Sequence, residues 1–370
     1  MMSDAAGRAR NRRSAKRTWR WTWLSVLVSL VSLVGCAKHV PLAAPAAPLT
    51  SPTRLCSANE GEPECRSATE VEALLSGPLE IIGLDGMPGG MQGAKLLTLR
   101  THGRSGDSVL RAKWRSQTTE GLINEPRKEL AAYAVQKLFL DETELVVPPT
   151  VAHCFAIAQY RTFESTARAS FPGADCVFGF LSYWLEDAQT VGAAREHGLL
   201  GTGAGIWDAR LFERDPEYRH SVSNGNLLTY LINHGDAHED QFVLQSNPRG
   251  LRAFVVDNSI AFRSIKNPML LLRQDWSQLQ VPALSPKSIG RLQHLTDSDF
   301  ERLGNVSELE LREGVLVQTS PAEPLQSDGT TTSWHGSRLR IGLSQGEIEL
   351  VAKRTRDLLS RPDLDQLTRR

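Results

Sequence analysis

The sequence predicts an α+β fold, in which a small β-rich half with one main helix precedes a larger, mainly helical half. Three short apolar segments of strand-like composition lie between residues 79 and 114 and are separated by glycine-containing turns. Glu125–Leu140 follows them, carries apolar side chains at helical spacing and has Pro126 in its first turn. Most segments after Ala188 also have helical patterns. We therefore expect a sheet with one packed helix, followed by a helical region.

The first 35 residues have the layout of an export signal. Residues 8–20 are rich in arginine and contain no acidic side chain, and Trp21–Val34 is an uninterrupted run of apolar or small residues. This run is shorter than the roughly 20 apolar residues that a spanning helix needs. It leads into Leu33-Val34-Gly35-Cys36, which resembles the lipobox of bacterial lipoproteins. The alternative is an uncleaved membrane anchor.

The lipobox resemblance implies that residues 1–35 are a signal peptide and that Cys36 carries the lipid, palmitate included. The protein would then be held to a membrane of the cell envelope by its lipid anchor. Ala37 follows the cysteine instead of an aspartate, which favours the outer membrane. Residues 36–66 are rich in proline, alanine and serine and suit a tether.

Four further cysteines fit an exported protein, because disulfides persist outside the cytoplasm. Nearest-neighbour pairing is our expectation among the three possible connectivities, and it joins Cys56 to Cys65 and Cys154 to Cys176. The formal charge is zero, with 42 basic and 42 acidic side chains. Nothing in this balance favours binding to nucleic acid.

The first half, residues 67–185, begins with a short helix in which Ser67 and Glu70 have capping-box spacing. The turn that contains Gly89 and Gly90 separates the first two predicted strands. Backbone N–H groups of a glycine-rich turn can approach phosphate closely, although most such turns are plain hairpins. The predicted strands of this half are Leu79–Leu84, Lys95–Thr101, Val109–Trp114, Val146–Val151 and Val177–Leu185.

The second half, residues 186–370, contains a polar loop between two apolar segments. Tyr230–Leu244 reads YLINHGDAHEDQFVL and places Asp236 in that loop. Polar side chains crowded between buried elements usually line a site. A predicted strand, Ala253–Val256, then delivers Asp257 at its end. Two carboxylates on neighbouring strand ends favour metal-assisted chemistry on phosphate.

These two segments resemble the protein-kinase-like superfamily. Asp236 is followed five positions later by Gln241 and then by a strand that ends at Asp257, whereas the catalytic loop of kinases reads D-x-x-x-x-N. GDAHEDQF is similar to the HipA-like kinases, and VDNSIAF is similar to the secretory-pathway kinases and the phosphatidylinositol 3- and 4-kinases. The resemblance implies a two-lobed kinase-like fold with a β-rich N-lobe and a helical C-lobe. The departure is Gln241, where the family has asparagine.

The resemblance also implies roles for residues of the first half. Lys113 would contact the α- and β-phosphates of ATP or another nucleotide, and Gly89 and Gly90 would lie over the phosphates. Glu129, on the predicted helix, would pair with Lys113 and orient it.

The residues alone leave two assignments open. Strand alternation places Lys113 on the same face as Arg111, and Arg111 or Arg115 would take the place of Lys113 if the register slipped. Glu125 competes with Glu129 for the lysine.

The implied chemistry is phosphoryl transfer to a hydroxyl of a protein or a small molecule. Asp236 would orient that hydroxyl, while Gln241 and Asp257 would hold one or two ions of Mg²⁺ or Mn²⁺. Two other classes of function compete with this one. The first is a catalytically impaired kinase fold that acts as an interaction module. The second is a metal-dependent hydrolase that uses His234, Asp236 and His238 as ligands.

Overall fold

The computed structural model describes residues 54–55, 65–87, 93–103, 106–117, 125–247, 249–263, 273–319 and 331–368, all within one unit that spans Ala47–Arg370. These residues form a mixed α+β fold with several antiparallel sheets. The strands are β1 (Arg54–Leu55), β2 (Cys65–Arg66), β3 (Leu79–Gly86), β4 (Lys95–Gly103), β5 (Gly106–Ser116), β6 (Thr150–Ala156), β7 (Cys176–Tyr183), β8 (Gln189–Thr190), β9 (Phe242–Asn247), β10 (Gly250–Val255), β11 (Ser307–Arg312), β12 (Val315–Thr319), β13 (Thr332–His335) and β14 (Arg338–Ile341). The helices are α1 (Ala68–Ser76), α2 (Arg127–Gln136), α3 (Ile157–Tyr160), α4 (Val191–Glu196), α5 (Ala209–Arg214), α6 (Pro216–Leu231), α7 (Pro286–Gln293), α8 (Asp297–Glu301), α9 (Gln345–Leu359) and α10 (Leu364–Thr368).

The first half of the chain builds a five-stranded antiparallel sheet in the order β3-β4-β5-β7-β6. One face of β4 and β5 is apolar, since Leu97 lies opposite Ala112 and Leu99 lies opposite Leu110, and all four are buried. Strand alternation turns Arg111, Lys113 and Arg115 to the other face. The helix α2 connects β5 to β6 and packs against β6 and β7.

Gly179 allows β7 to approach β5 closely. A Cβ atom at this position would lie 2.3 Å from the carbonyl oxygen of Arg115 and 2.7 Å from Cα of Ser116. Since real Cβ atoms do not come that close to backbone, glycine is required for this pairing. The strand that carries Lys113 and Arg115 is thereby held in register.

In the second half, α6 packs on the β9–β10 hairpin. Asp215 caps α6 by accepting the N–H of Tyr218, and Pro216 occupies the first turn, where its missing N–H costs nothing. Phe242 pairs with Val255 in the hairpin. The polar loop before β9 and the segment after β10 therefore meet at one end of this hairpin.

A four-stranded sheet, in the order β12-β11-β14-β13, departs from the prediction of a mainly helical second half. Its strands are only four to six residues long, and charged and apolar side chains alternate in the two that pair at its centre, β11 and β14. Glu308 on β11 is completely buried between Arg338 and Arg340 of β14, at 2.8 and 3.0 Å. These cross-strand ion pairs form only when the sheet does, which is why the sequence pattern did not reveal them.

Several predicted elements are confirmed with small shifts at their ends. The capping box of Ser67 and Glu70 is present in α1. The main helix is two residues shorter at its start than predicted and ends at Gln136. The strand predicted from Val146 begins only at Thr150, because Pro148 and Pro149 have no N–H to donate.

The disulfide between Cys154 and Cys176 is confirmed, with a Cα–Cα distance of 5.5 Å, and it joins β6 to β7. Cys36, Cys56 and the side chain of Cys65 lie outside the described residues, as do Gly89 and Gly90. Among the described helices, none combines the length and the apolar character needed to cross a membrane.

Candidate functional site

Lys113 is the meeting point of three elements that are distant in sequence. Its Nζ lies 2.8 Å from Oε1 of Glu129 on α2 and 3.2 Å from Oδ1 of Asp257, which follows β10. The side chains of Lys113 and Glu129 are only 14 % and 6 % exposed. The fold thus brings together three of the predicted site residues.

The charges at this point stabilise one another. Burial lowers the pKa of Lys113, but Asp257 and Glu129 outweigh burial and leave that pKa above its ordinary value. Burial likewise raises the pKa of Asp257, yet Lys113 and Arg115 hold it well below its ordinary value. The ammonium and the carboxylate are therefore both ionised at neutral pH.

Arg115 is a second cation at the same carboxylate. Its Nη2 lies 2.7 Å from Oδ1 of Asp257, and its side chain is buried. The open question of register is answered here, because Lys113 and Arg115 both face the site from adjacent positions on one face of β5. The sequence alone indicated Arg115 only as a substitute for Lys113, although the i, i+2 alternation of the strand is the signal that both reach the site.

Glu125 does not compete for Lys113. Its carboxylate instead contacts Lys128 at 2.9 Å and Arg263 at 2.9 Å, and it also pairs with Arg127. Glu129 is therefore the glutamate that reaches the lysine.

His234 ties the polar loop to the segment after β10. Burial lowers the pKa of this histidine, so the ring is neutral. Its Nδ1 accepts the N–H of Asp236 at 3.2 Å, which leaves Nε2 to donate to the carbonyl of Asp257 at 3.2 Å. Asp257 has a positive φ of 59°, unusual for a residue other than glycine, and this hydrogen bond helps to hold it. The sequence suggested His234 only as a metal ligand, and nothing in its spacing pointed to this role.

Asp236 and Gln241 are in contact across the polar loop. Nε2 of Gln241 donates to Oδ2 of Asp236 at 3.3 Å. On the other side, Nε2 of His238 lies 3.6 Å from Oδ1 of Asp236. The carboxylate of Asp236 is thus oriented by its neighbours and can accept a proton from a hydroxyl group placed beside it.

Asp257 fits a divalent cation. Among the described residues, three side chains donate to its carboxylate, and all of them contact Oδ1: Lys113, Arg115 and Ser259. No described residue donates to Oδ2, and the side chain is 41 % exposed. Carboxylate oxygen is a preferred ligand of Mg²⁺ and Mn²⁺.

Gln241 fits a cation less well, because its amide nitrogen is turned to Asp236 in this arrangement. In the described part of the chain, no three His, Cys, Asp or Glu residues are grouped as a metal site. A Mg²⁺ ion that arrives with nucleotide phosphates needs only one or two protein ligands. Asp257 alone meets that requirement.

Arg111 lies two residues before Lys113 on the same face of β5, and its ion-pair partner is a different carboxylate. Nε of Arg111 donates to Oε1 of Glu186 at 2.8 Å, and Nη2 donates to Oε2 of the same carboxylate. The guanidinium also lies 5.9 Å from the ring centroid of Trp184. Gln245 fixes the backbone of this segment by donating to the carbonyl of Glu186 at 2.6 Å. A buried carboxylate on the segment that follows β7 therefore pairs with the arginine that precedes Lys113 by two residues on β5.

No protein-family model matches the chain, and no curated protein matches it.

Proposed function

We propose that the chain is an atypical kinase that transfers the γ-phosphoryl group of a nucleotide to a hydroxyl group of a protein or a small molecule. The observation that carries this proposal is the position of Lys113 between Glu129 and Asp257. A buried lysine held by a helix glutamate and an aspartate is the constellation that binds nucleotide phosphates in kinases. The departure from that constellation is Gln241.

The order of elements supports a two-lobed kinase-like arrangement. Lys113 lies on β5, the third strand of the five-stranded sheet in chain order, and Glu129 lies on the helix that follows. The second half then supplies Asp236 before β9 and Asp257 after β10. This sequence of strand lysine, helix glutamate, loop aspartate and strand-end aspartate is the one that the kinase resemblance implies.

Each side chain has a defined task in this mechanism. Lys113 neutralises phosphate charge, and Glu129 prevents it from turning away. Asp236 accepts the proton of the acceptor hydroxyl as that oxygen attacks the γ-phosphorus, while the bond from the γ-phosphorus to the β–γ bridging oxygen breaks and the nucleoside diphosphate leaves. Mg²⁺ or Mn²⁺, when bound with the nucleotide, supplies further positive charge to the phosphates. Asp257 would hold that ion through its carboxylate, whose Oδ1 already contacts the cations of β5.

The protein would act at the cell envelope. Cys36 would carry the lipid anchor, and the disulfide between Cys154 and Cys176 suits an oxidising compartment. Its partners would be the nucleotide, the acceptor and the membrane.

A catalytically impaired kinase fold is the second candidate, and one contact favours it. Gln241 points its amide nitrogen at Asp236, whereas a cation requires the amide oxygen. In that case the protein would bind nucleotide without transferring phosphate. The metal-dependent hydrolase gains no support from His234, since both of its ring nitrogens are engaged with backbone groups.

Nucleotide binding and phosphoryl transfer can be tested separately. Thermal shift of the whole chain with nucleotide and Mg²⁺ or Mn²⁺ should show stabilisation that is lost in Lys113→Met and Asp257→Asn. Lys95→Met on β4, where the lysine pairs with Glu164, is the matched control and should behave as the wild type. No stabilisation at millimolar nucleotide would sink the proposal.

Asp236→Asn then separates the two candidates. If the protein is a kinase, this variant should still bind nucleotide but should no longer transfer phosphate. Transfer is measured as the loss of the γ-phosphate from the nucleotide in the presence of acceptor mixtures. A wild-type protein that binds nucleotide and never transfers phosphate would favour the impaired fold.

A further inference from the structure

The face of β5 that carries Lys113 also carries Arg111, two residues earlier. Strand geometry puts the two Cα atoms about 7 Å apart, with both side chains on one side of the sheet. Consider a nucleotide whose phosphates contact Lys113 and which extends along β5 toward the segment after β7. Its base then lies within reach of Arg111. This step rests on the proposed function.

The guanidinium of Arg111 is held in one orientation. Glu186 binds the edge formed by Nε and Nη2, and Glu186 is itself nearly buried, with 9 % of its side chain exposed. The guanidinium carbon also lies over the ring of Trp184, 5.9 Å from its centroid. A planar fork with a fixed partner loses little further freedom when it binds a ligand.

The opposite edge of the same guanidinium remains available. No described residue accepts a hydrogen bond from Nη1 of Arg111, and the side chain is 41 % exposed. Because Nε and one hydrogen of Nη2 are used by Glu186, the edge formed by Nη1 and Nη2 presents two parallel N–H donors.

Two parallel donors discriminate between purines. Guanine offers two acceptors, O6 and N7, on one edge, and an arginine fork pairs with both. Adenine offers N7 beside the N6 amino group, so one N–H of the fork would face another donor. We propose that the site selects 6-oxopurine nucleotides, such as GTP, over adenine nucleotides, with Arg111 as the specificity-determining residue and Glu186 as the residue that positions it.

The test compares four nucleotides on the whole chain by titration calorimetry with Mg²⁺. GTP and ITP share O6 and N7, ATP lacks O6, and 7-deaza-GTP lacks N7. We expect GTP and ITP to bind about tenfold or more tightly than ATP, with 7-deaza-GTP weaker than GTP. Equal or tighter binding of ATP would overturn the inference.

Variants test whether the guanidinium fork of Arg111 causes the preference for 6-oxopurine nucleotides. Arg111→Lys keeps the positive charge but has no parallel donors, so the ratio of GTP to ATP affinity should fall close to one. Glu186→Gln should reduce the ratio by loosening the fork. Arg100→Lys on β4, where the arginine pairs with Glu80 at 2.6 Å, is the matched control and should keep the wild-type ratio.

A preference for GTP that survives in Arg111→Lys would place the selectivity elsewhere and overturn the assignment. If Arg111→Lys fails to fold, the wild-type comparison of GTP, ITP and 7-deaza-GTP with ATP still decides the base preference, and Glu186→Gln still tests its assignment to the Arg111 fork. The two proposals fail in different ways, because the absence of binding by every nucleotide refutes the kinase proposal and this inference together. Binding without base preference refutes this inference alone.

Discussion

Glu129 joins the sheet to the segment after β10 through the two oxygens of one carboxylate. Oε1 lies 2.8 Å from Nζ of Lys113, and Oε2 accepts the N–H of Asn258 at 3.0 Å. Asn258 directly follows Asp257, so this side chain sets the distance between the lysine and the aspartate. The geometry of the candidate site therefore depends on α2.

Replacing Glu129 by glutamine should weaken both the fold and the site. The amide keeps an oxygen acceptor, but it removes the charge opposite a buried ammonium, so we expect a loss of about 2 kcal/mol in the free energy of unfolding. Nucleotide affinity should fall as well, because Lys113 is no longer oriented. Chemical denaturation and nucleotide titration would measure the two effects.

The control for this variant is Glu80→Gln on β3. Glu80 pairs with Arg100 at the surface, where both side chains are about 40 % exposed, so the change should cost at most about 1 kcal/mol. Equal losses in Glu129→Gln and Glu80→Gln would contradict the role assigned to Glu129.

Stability should depend on pH through Glu125. Burial raises the pKa of this carboxyl, but Lys128 and Arg263 outweigh burial and hold the pKa at about 2 instead of 4.5. Because the unfolded chain binds the proton more readily, the stabilisation is complete above about pH 4.5 and disappears as the pH falls through about 2. The lowered pKa corresponds to about 3 kcal/mol.

Unfolding of the wild type and of Glu125→Gln across this pH range tests that linkage. The wild type should be the more stable protein at pH 6, and the difference should shrink steadily below about pH 4.5. A difference that does not change with pH would show that the ion pairs of Glu125 are not its cause.

Loss of the disulfide between Cys154 and Cys176 should destabilise the protein. The bond closes a loop with a sequence separation of 22 residues, for which the chain-entropy model gives about 3 kcal/mol. Denaturation of the wild type with and without reductant, beside the double variant Cys154→Ala/Cys176→Ala, would measure it. The double variant should match the reduced wild type, and unequal midpoints for these two would point to a packing effect of the substitutions.

Asn226 organises the segment beside the polar loop. It is completely buried, and it makes four hydrogen bonds with backbone groups: Nδ2 donates to the carbonyls of Trp276 and Gln278, and Oδ1 accepts the N–H groups of Gln280 and Val281. Asn226→Ala leaves these groups unpaired, so we expect a loss of about 3 to 5 kcal/mol. Thermal and chemical unfolding would show it.

The same variant should also loosen the loop that carries Asp236, because the N–H of Trp276 donates to the carbonyl of Ala237 at 2.8 Å. Hydrogen exchange at residues 234–241 should therefore speed up in Asn226→Ala. Gln274→Ala, at an exposed position of the same segment, should change neither stability nor exchange.

Local chemistry made much of the secondary structure predictable. Ser67 and Glu70 began α1 as their spacing indicated, and Ser344 and Glu347 form the same capping box at the start of α9. The apolar alternation of β4 and β5 likewise appears as a buried face. These features depend on neighbours within a few residues, so the sequence pattern contains them.

Local sequence patterns could not predict the sheet formed by β11–β14. Its buried Glu308 is stable only when Arg338 and Arg340 lie across from it. The candidate site likewise contains features that the sequence predicted and features that it did not. Lys113, Glu129, Asp236 and Asp257 were named from their local context and the family resemblance. Which of two glutamates reaches the lysine, and which cations share Asp257, depended on contacts between distant elements.

The sequence by itself determined the local elements and the residue types that could bind phosphate, because spacing and composition act over short stretches of chain. Only the tertiary structure decided that Arg115 joins Lys113 at Asp257 and that Arg111 turns to Glu186. These three residues alternate on one strand and look equivalent along the chain. Their partners lie 142, 144 and 75 residues away, and the packing of α2, the β9–β10 hairpin and the segment after β7 brings each partner to its own cation.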